Sequence, residues 1–301
     1  MPRHITVVPA STKAGRETIR VLLASESKPL VRGIYRDTSK VPAEFASHSN
    51  FEAVQGDVGT GAGLDFSRSD AVFYIPPPIY DGTDQGEWAT QTATNVKSAL
   101  ESAPNVQRLL LFSSVGSQYN HGVGILRLNH ISDKILENSV PEVLIIRPGY
   151  FHEDWAHLLE IAKADPPVLE SWLTPLEHKV PMVGLQDIGE TCAETLLAES
   201  TKPSPYYFKL FGPRHYGSLD LRSAVEEITG KEVQLKIVER GELPSFFAKL
   251  LPPTYVQELV DMTTAVLPGG TMAGDFEYDE GTVRGRVELV DSLRKLYTKE
   301  K

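Results

Sequence analysis

The loop after the first predicted strand combines residue types that can bind a phosphate. It runs from Pro9 to Arg16 and leads into a predicted helix. A dinucleotide fingerprint would place glycines at positions 9, 12 and 15, but only Gly15 is present, and Thr12 carries a β-branched side chain where the pyrophosphate would approach. The N–H groups at the helix N-terminus still favour an anion. The loop is therefore either a nucleotide site or an ordinary β–α turn.

Arg36 indicates which nucleotide such a site would bind. It follows the second predicted strand, about 21 residues after Gly15. An acidic residue there would favour the ribose 2′-hydroxyl of NAD, whereas a planar guanidinium matches the 2′-phosphate of NADP. Asp37 follows at once, so a solvated surface pair is the alternative. We expect NADP(H) as the cofactor.

Several aromatic and histidine side chains are candidates for a substrate cavity. Aromatic walls suit a flat, partly apolar small molecule, although each such residue is more often a packing residue. The candidates are Tyr80, Tyr119, His121, His152, Trp155 and Trp172. No metal-ligand spacing such as His-Glu-x-x-His occurs, so we predict no metal site. The single cysteine, Cys192, excludes an internal disulfide, and we interpret it as a buried apolar residue.

Strand-like and helical segments alternate along the first half of the chain. Short apolar, β-branched runs predict strands over residues 4–8, 29–35, 51–55, 71–75, 106–112 and 143–146. Apolar residues at helical spacing predict helices over residues 13–24, 87–102 and 126–138. Continuous apolar strands separated by helices form parallel sheets covered on both faces. We therefore expect a Rossmann-type, doubly wound α/β fold that binds ligands outside the carboxyl ends of its strands.

The second half of the chain is less regular. It predicts a loop entering a helix over 150–163, a strand over 180–183, and a helix over 187–198 with Asp187 as its N-cap. A small strand–helix–strand unit is expected over 206–211, 219–228 and 233–238. Residues 242–267 are expected to be mostly helical with a break at Pro252 and Pro253, and the last helix is expected within residues 282–297. We predict a nucleotide-binding domain at residues 1–150 and a smaller, partly interleaved substrate-binding region at residues 151–301.

Composition narrows the functional classes. A formal net charge of −10 and an isoelectric point near 5.3 argue against a broadly basic nucleic-acid surface. No apolar run reaches the ~18–20 residues that a membrane span needs, and the N-terminus lacks a signal-peptide pattern. We expect a cytoplasmic protein that binds a small-molecule substrate, and neither nucleic acid nor a membrane. Both a monomer and a homodimer are compatible with the sequence.

Segments along nearly the whole chain resemble the NmrA-like family of atypical short-chain dehydrogenases/reductases. They are residues 5–23, 31–37, 56–57, 111–114, 146–151 and 183–189. The chain is most similar to the fungal-type branch, whose glycine loop is decayed. The resemblance implies a Rossmann fold and an NADP(H)-dependent reductase or dehydrogenase that acts on a small, flat carbonyl, quinone or enone compound in secondary metabolism.

The resemblance also implies roles for individual residues. Arg36 would hold the 2′-phosphate, and Asp57 and Val58 would flank the adenine. The full set assigned to the cofactor is Pro9, Ser11, Thr12, Lys13, Ala14, Gly15, Arg36, Asp57, Val58, Ile75, Pro76, Pro77, Ser113, Lys134, Pro148, Gly149, Tyr150 and Phe151. The family serine that holds a substrate carbonyl would be Ser113, Ser114 or Ser117.

The catalytic pair of this resemblance would lie on the helix over 126–138. Classical short-chain dehydrogenases use Tyr-x-x-x-Lys, a spacing that places both side chains on one helix face. Here His130 stands at the tyrosine position and Lys134 at the lysine position. Lys134 would orient the ribose, and His130 could act as an acid near neutral pH. Alternatively, His130 only packs at a pocket edge and Lys134 is a solvated lysine.

Three functions remain open at this point. The first is a reductase or dehydrogenase. The second is a non-redox enzyme, such as an isomerase, dehydratase or cyclase, on the same fold. The third is an NADP(H)-sensing regulatory protein. The chain has no recognisable protein-docking segment, which favours an enzyme, and the decayed glycine loop and missing phenol favour a specialised one.

Overall fold

A computed structural model describes residues 2–299. The strands are β1 (His4–Val8), β2 (Leu30–Tyr35), β3 (Phe51–Gln55), β4 (Ala71–Tyr74), β5 (Arg108–Phe112), β6 (Glu142–Pro148), β7 (Tyr150–Phe151), β8 (Val168–Ser171), β9 (Lys179–Val183), β10 (Tyr206–Phe211), β11 (His215–Gly217), β12 (Gln234–Ile237) and β13 (Thr282–Arg284). The α-helices are α1 (Lys13–Ala24), α2 (Ala43–Ala46), α3 (Gln85–Glu101), α4 (Arg127–Leu136), α5 (His157–Ile161), α6 (Leu185–Leu197), α7 (Ser218–Thr229), α8 (Leu243–Phe247), α9 (Pro253–Val266) and α10 (Leu289–Lys299).

Eight of the strands form one sheet, in the order β13-β10-β6-β5-β4-β1-β2-β3. All pairings from β3 through β6 are parallel. The chain runs outward from β1 to β3 and then returns to place β4 on the other side of β1. This reversal is the topological switch point of a doubly wound sheet, where ligands bind. The predicted Rossmann-type α/β fold is confirmed.

The central strands are buried because helices cover both of their faces. Every residue of β4 and β5 is buried, whereas the edge strand β3 is largely exposed. One apolar cluster joins the strands to α3 and α4 and includes Val8, Ile34, Val72, Tyr74, Val96, Leu109, Leu136 and Ile145. Burial on both sides explains why these strands are continuous apolar runs in the sequence.

The chain divides into two compact units. Unit 1 comprises the residues up to Ser117, Arg127–Arg147 and Ile188–Phe208. Unit 2 comprises Gln118–Leu126, Pro148–Asp187 and the residues from Lys209 onward. The division into domains at residue 150 stays a prediction.

Unit 2 contains short strands and several helices. Strands β7, β9 and β11 form a three-stranded sheet, and β8 pairs in parallel with β12. The helical segment that includes α8 and α9 has its own apolar cluster, formed by Val238, Leu243, Phe247 and Leu267 with partly buried neighbours such as Trp172. No helix among residues 2–299 is long and apolar enough to cross a bilayer.

Two sequence-based predictions about this half of the chain were wrong. Helix α6 begins at Leu185, so Asp187 lies in its first turn and is not its N-cap. The Asp187 carboxylate instead accepts from the backbone N–H groups of Arg286 and Val287, each at 3.0 Å. The expected strand–helix–strand unit also does not form, because β10 joins the main sheet and β12 pairs with the unpredicted strand β8.

Candidate functional site

The β1–α1 loop keeps a tight geometry although two of its three expected glycines are missing. Thr12 is the N-cap of α1, and its hydroxyl accepts from the N–H of Gly15 at 3.0 Å and donates to the carbonyl of Pro9 at 3.1 Å. A Cβ at Gly15 would lie 2.8 Å from the Thr12 hydroxyl oxygen. Thr12 thus uses its side chain to cap the helix, and glycine is the residue that fits beneath it at position 15.

A cavity of about 420 Å³ lies at the carboxyl ends of β1 to β4. Its walls include the predicted cofactor residues Pro9, Ser11, Thr12, Arg36, Asp57, Val58 and Pro77. The predicted substrate residue Tyr80 also lines this cavity. Its volume falls in the range of small-molecule sites, and the structure brings these residues together from four separate loops of unit 1.

Arg36 and Asp57 supply charge to this cavity. Arg36 is exposed and directly follows β2, where its carbonyl accepts from the side-chain amide of Gln55 at 3.3 Å. The neighbouring Asp37 carboxylate accepts from the hydroxyl of Ser39 at 2.6 Å and from its N–H at 3.0 Å. These two bonds lower the pKa of Asp37. Asp57 accepts from the N–H of Gly59 at 2.8 Å, which orients its carboxylate at the end of β3.

Trp88 is a cavity residue that the sequence analysis missed. It lies in the first turn of α3, whose N-cap Asp84 accepts from the N–H groups of Gly86 and Glu87. Its indole N–H donates to the carbonyl of Pro77 at 2.8 Å, and a Cβ at Gly59 would overlap its ring. The signal available in the sequence was an aromatic residue just after an Asp N-cap, beyond the proline turn.

Other predicted cofactor residues do not line this cavity. Ala14 and Gly15 are buried within α1, Lys13 is exposed beside them, and Ile75 and Pro76 are buried after β4. Ser113 lies at the end of β5 and is buried. Their roles stay predictions.

Helix α4 buries one of its faces in the core of unit 1. Its buried residues are Leu128, Asn129, Ser132, Asp133 and Leu136. The inward pair at helical spacing is therefore Asn129 and Asp133. Lys134 is exposed, and its ammonium pairs with Glu137 at 3.0 Å. The ribose-binding role of Lys134 stays a prediction.

His130 is half-buried on the same helix. Its Nδ1 lies 2.8 Å from the backbone carbonyl oxygen of Ser117. A carbonyl oxygen can only accept, so Nδ1 is the donor and carries a proton. Nε2 is then the ring nitrogen left to exchange a proton.

Asp133 is the centre of a buried polar cluster in unit 1. One of its carboxylate oxygens accepts from the hydroxyls of Ser113, at 2.9 Å, and Ser117, at 2.8 Å. The guanidinium of Arg147 lies 3.6 Å from the same oxygen. Burial raises the pKa of Asp133 to about 6, against the opposing effect of the two serines and Arg147. This carboxyl group therefore changes charge near neutral pH.

Arg147 and Tyr207 extend the cluster. The Arg147 guanidinium lies 4.3 Å from the centre of the Tyr207 ring. The Tyr207 hydroxyl donates to Glu137 at 3.0 Å. Burial and the neighbouring Glu137 raise the pKa of Tyr207 to about 12, so this phenol stays protonated near neutral pH.

The aromatic candidates of unit 2 form a cluster of their own. The Trp172 ring lies 5.5 Å from that of Tyr150 and 5.3 Å from that of Trp155. The Tyr150 hydroxyl and the Trp155 indole N–H are buried without a hydrogen-bond partner among the described residues. An oxygen-bearing ligand could satisfy such donors, and their substrate role stays a prediction.

The remaining candidates of unit 2 differ in exposure. His152 is fully buried with Nδ1 3.0 Å from the Ser292 hydroxyl, and burial together with Arg214 lowers its pKa to about 3. It is therefore a neutral core residue. The Tyr119 hydroxyl donates to Asp275 at 3.2 Å, and His121 is exposed beside Asn120. Pro148 and Gly149 are buried, and Phe151 is half-buried. Among residues 2–299, no cluster of three or more His, Cys, Asp or Glu residues could hold a metal ion.

The arrangement can be compared with solved structures. An NADPH-dependent quinone oxidoreductase of Escherichia coli, solved with NADPH, matches with a TM-score of 0.76 at 16% identity, covering 97% of this chain and 99% of that one. The chain has the fold of this reductase. A triphenylmethane reductase of Citrobacter sp., solved with NADP(H), matches with a TM-score of 0.74 at 14% identity and the same coverage. A nucleoside-diphosphate-sugar epimerase of Staphylococcus aureus has a TM-score of 0.71 at 12% identity, again with 97% and 99% coverage. No protein-family model and no curated protein matches the sequence.

Proposed function

We propose that this protein is an NADP(H)-dependent reductase of the NmrA-like atypical short-chain type. Its substrate would be a small, flat carbonyl, quinone or enone compound. The observation that carries the proposal is the cavity at the switch point of the sheet, which has Arg36 on its wall. Two of the similar structures, which are reductases by name, were solved with NADPH or NADP(H).

The residues of the cavity fit this cofactor. Arg36 would hold the 2′-phosphate, because its planar donors match a phosphate and its neighbour Asp37 is bonded to Ser39. Val58 and Trp88 offer apolar surface to the adenine, and Asp57 a carboxylate for a ribose hydroxyl. Ser11 and Thr12 would lie beside the pyrophosphate at the start of α1, where the helix dipole favours an anion.

Reduction of a carbonyl needs a hydride, which NADPH would supply when bound, and a proton for the substrate oxygen. His130 is the residue of α4 best suited to move that proton. It is half-buried, and the Ser117 carbonyl keeps its Nδ1 protonated and its ring in place. The imidazolium form would give its Nε2 proton to the substrate oxygen as negative charge develops there, which leaves a neutral imidazole protonated on Nδ1.

A thermal-shift titration with NADP, NADPH, NAD and NADH tests the cofactor. We expect selective stabilisation by the phosphorylated pair, because a ligand stabilises the folded state that binds it. NADPH oxidation with a panel of quinones, enones and aromatic carbonyls then tests the reaction. Product formation without NADPH consumption would instead identify a non-redox enzyme. A protein partner whose capture depends on the NADP/NADPH ratio would identify a regulator.

A further inference from the structure

Ser117 joins a buried acid to the proposed proton donor. Its side-chain hydroxyl donates to Asp133 at 2.8 Å, and its backbone carbonyl accepts from Nδ1 of His130 at 2.8 Å. The two partners lie three residues apart on α4, on neighbouring turns. One loop residue therefore connects the carboxyl group inside unit 1 to an imidazole at the edge of its interior.

Burying the carboxyl group of Asp133 costs free energy, because the group loses its hydration. It is 1% exposed, and its second oxygen has no hydrogen-bond partner among the described residues. A buried carboxyl that serves packing alone could be replaced by an apolar residue at little cost or at a gain. A carboxyl group in this position, with two serine hydroxyls donating to it, indicates that it serves to hold those serines in place.

The charged groups around Asp133 come from several elements. Arg147 approaches from β6 at 3.6 Å, and its guanidinium stacks on Tyr207 of β10. His130 lies on the preceding turn of α4, and Glu137, which pairs with Lys134, lies just after the last residue of the helix. None of these groups hydrogen-bonds the Ser117 hydroxyl in the described residues. Asp133 is the acceptor that holds it.

We propose that Asp133 is a positioning residue that acts through Ser117 on His130. The carboxyl group anchors the Ser117 hydroxyl, and the anchored carbonyl holds the imidazole with Nε2 as its proton-exchanging atom. This is the logic by which a third group orients a catalytic base. The inference rests on the proposed function, in which His130 delivers the proton.

Steady-state kinetics on Ser117→Ala, Asp133→Asn and the double variant test the link. We expect kcat to fall about tenfold in S117A and about threefold in D133N, while the Kd for NADPH stays unchanged. The double variant should be no slower than S117A, because both changes break one chain of contacts. Ser139→Ala is the matched control, since the Ser139 hydroxyl donates to the backbone carbonyl of Leu136 at the end of α4.

Nitrogen NMR of the imidazole gives a second readout that does not depend on activity. In the unaltered protein we expect a slowly exchanging proton on Nδ1 of His130, and faster exchange in S117A and in the isosteric D133N. Should S117A fail to fold, D133N alone carries both measurements. Two outcomes would overturn the inference while the unaltered protein still oxidises NADPH. One is a D133N variant with full kcat and an unchanged exchange rate of the Nδ1 proton. The other is a double variant whose loss of kcat equals the product of the two single losses. Absence of NADPH oxidation in the unaltered protein would overturn the proposed function and the inference together.

Discussion

The β1–α1 loop and helix α4 belong to the same unit and depart from the family resemblance in opposite ways. In the loop, the residue types have changed but the geometry persists: Thr12 replaces a glycine and caps α1 above Gly15. In α4, a lysine stands four residues after a histidine, but Lys134 faces solvent and Asp133 faces the core.

This contrast between the loop and the helix indicates which kind of site tolerates substitution. Phosphate recognition at a helix N-terminus depends on backbone N–H groups, which persist when side chains change. A catalytic pair depends on the helix face, and one residue of offset moves a side chain by about 100°. We therefore expect cofactor binding to follow the resemblance and proton transfer to follow this chain's own arrangement.

The largest expected effect concerns His130 on α4. His130→Ala should lower kcat by ~10²–10⁴, the usual contribution of a positioned acid, because the substrate oxygen loses its proton donor. Binding of NADPH, measured by fluorescence titration, should stay within about twofold, as in His48→Ala, an exposed histidine away from the cavity. Full turnover in H130A would show that His130 does not deliver the proton.

The buried side of α4 should be visible in the pH dependence of stability. Burial raises the pKa of Asp133 from 3.8 to about 6. The folded state therefore holds a proton that the unfolded chain has released, and stability falls as pH rises from 3.8 to about 6. Asp133→Asn removes this titration. As pH rises through that window, the free energy of unfolding of the variant should therefore increase by up to roughly 3 kcal/mol relative to that of the unaltered protein.

Urea unfolding of both proteins between about pH 3.5 and about pH 7.5 measures this difference. The other carboxyl groups titrate in both proteins and cancel in the comparison. Parallel stability curves would mean that Asp133 has the same pKa in the folded and unfolded states, and that its burial does not raise that pKa.

Substitution of Arg36 tests cofactor binding in the cavity. Arg36→Ala should weaken NADPH binding by about 1.5–3 kcal/mol, the range for a hydrogen bond to a charged group, and should leave NADH binding nearly unchanged. Isothermal titration calorimetry measures both. Arg68→Ala is the control, because Arg68 pairs with Glu52 elsewhere in unit 1. Equal losses for both nucleotides would contradict the 2′-phosphate assignment.

The smallest expected effect concerns Lys134. Its ion pair with Glu137 joins side chains that are 57% and 23% exposed, and such pairs contribute about 0–1 kcal/mol. Lys134→Ala should therefore leave kcat and the Kd for NADPH unchanged within about twofold. A lower kcat together with weaker NADPH binding would support the ribose-binding role that the resemblance implies. Helix α4 would then follow the resemblance as the β1–α1 loop does.

The framework of unit 1 can be predicted from the sequence alone. Apolar runs buried on both faces mark β1, β4, β5 and β6. The loops after β1, β2, β3 and β4 carry Pro9, Arg36, Asp57 and Pro77 to one edge of the sheet. This worked because parallel strands share a direction, so the residues that follow neighbouring strands meet at the same end of the sheet.

The orientation of side chains on α4 and the pairing of distant segments depend on tertiary packing. Periodicity describes an amphipathic helix but leaves a residue at the edge of its apolar stripe undecided, so only packing showed that Asp133 points inward and Lys134 outward. Strand β8 pairs with β12, which lies far from it in sequence. The indole N–H of Trp88 donates to the carbonyl of Pro77 across a turn. Such contacts depend on the packing of whole elements, which local propensity does not specify.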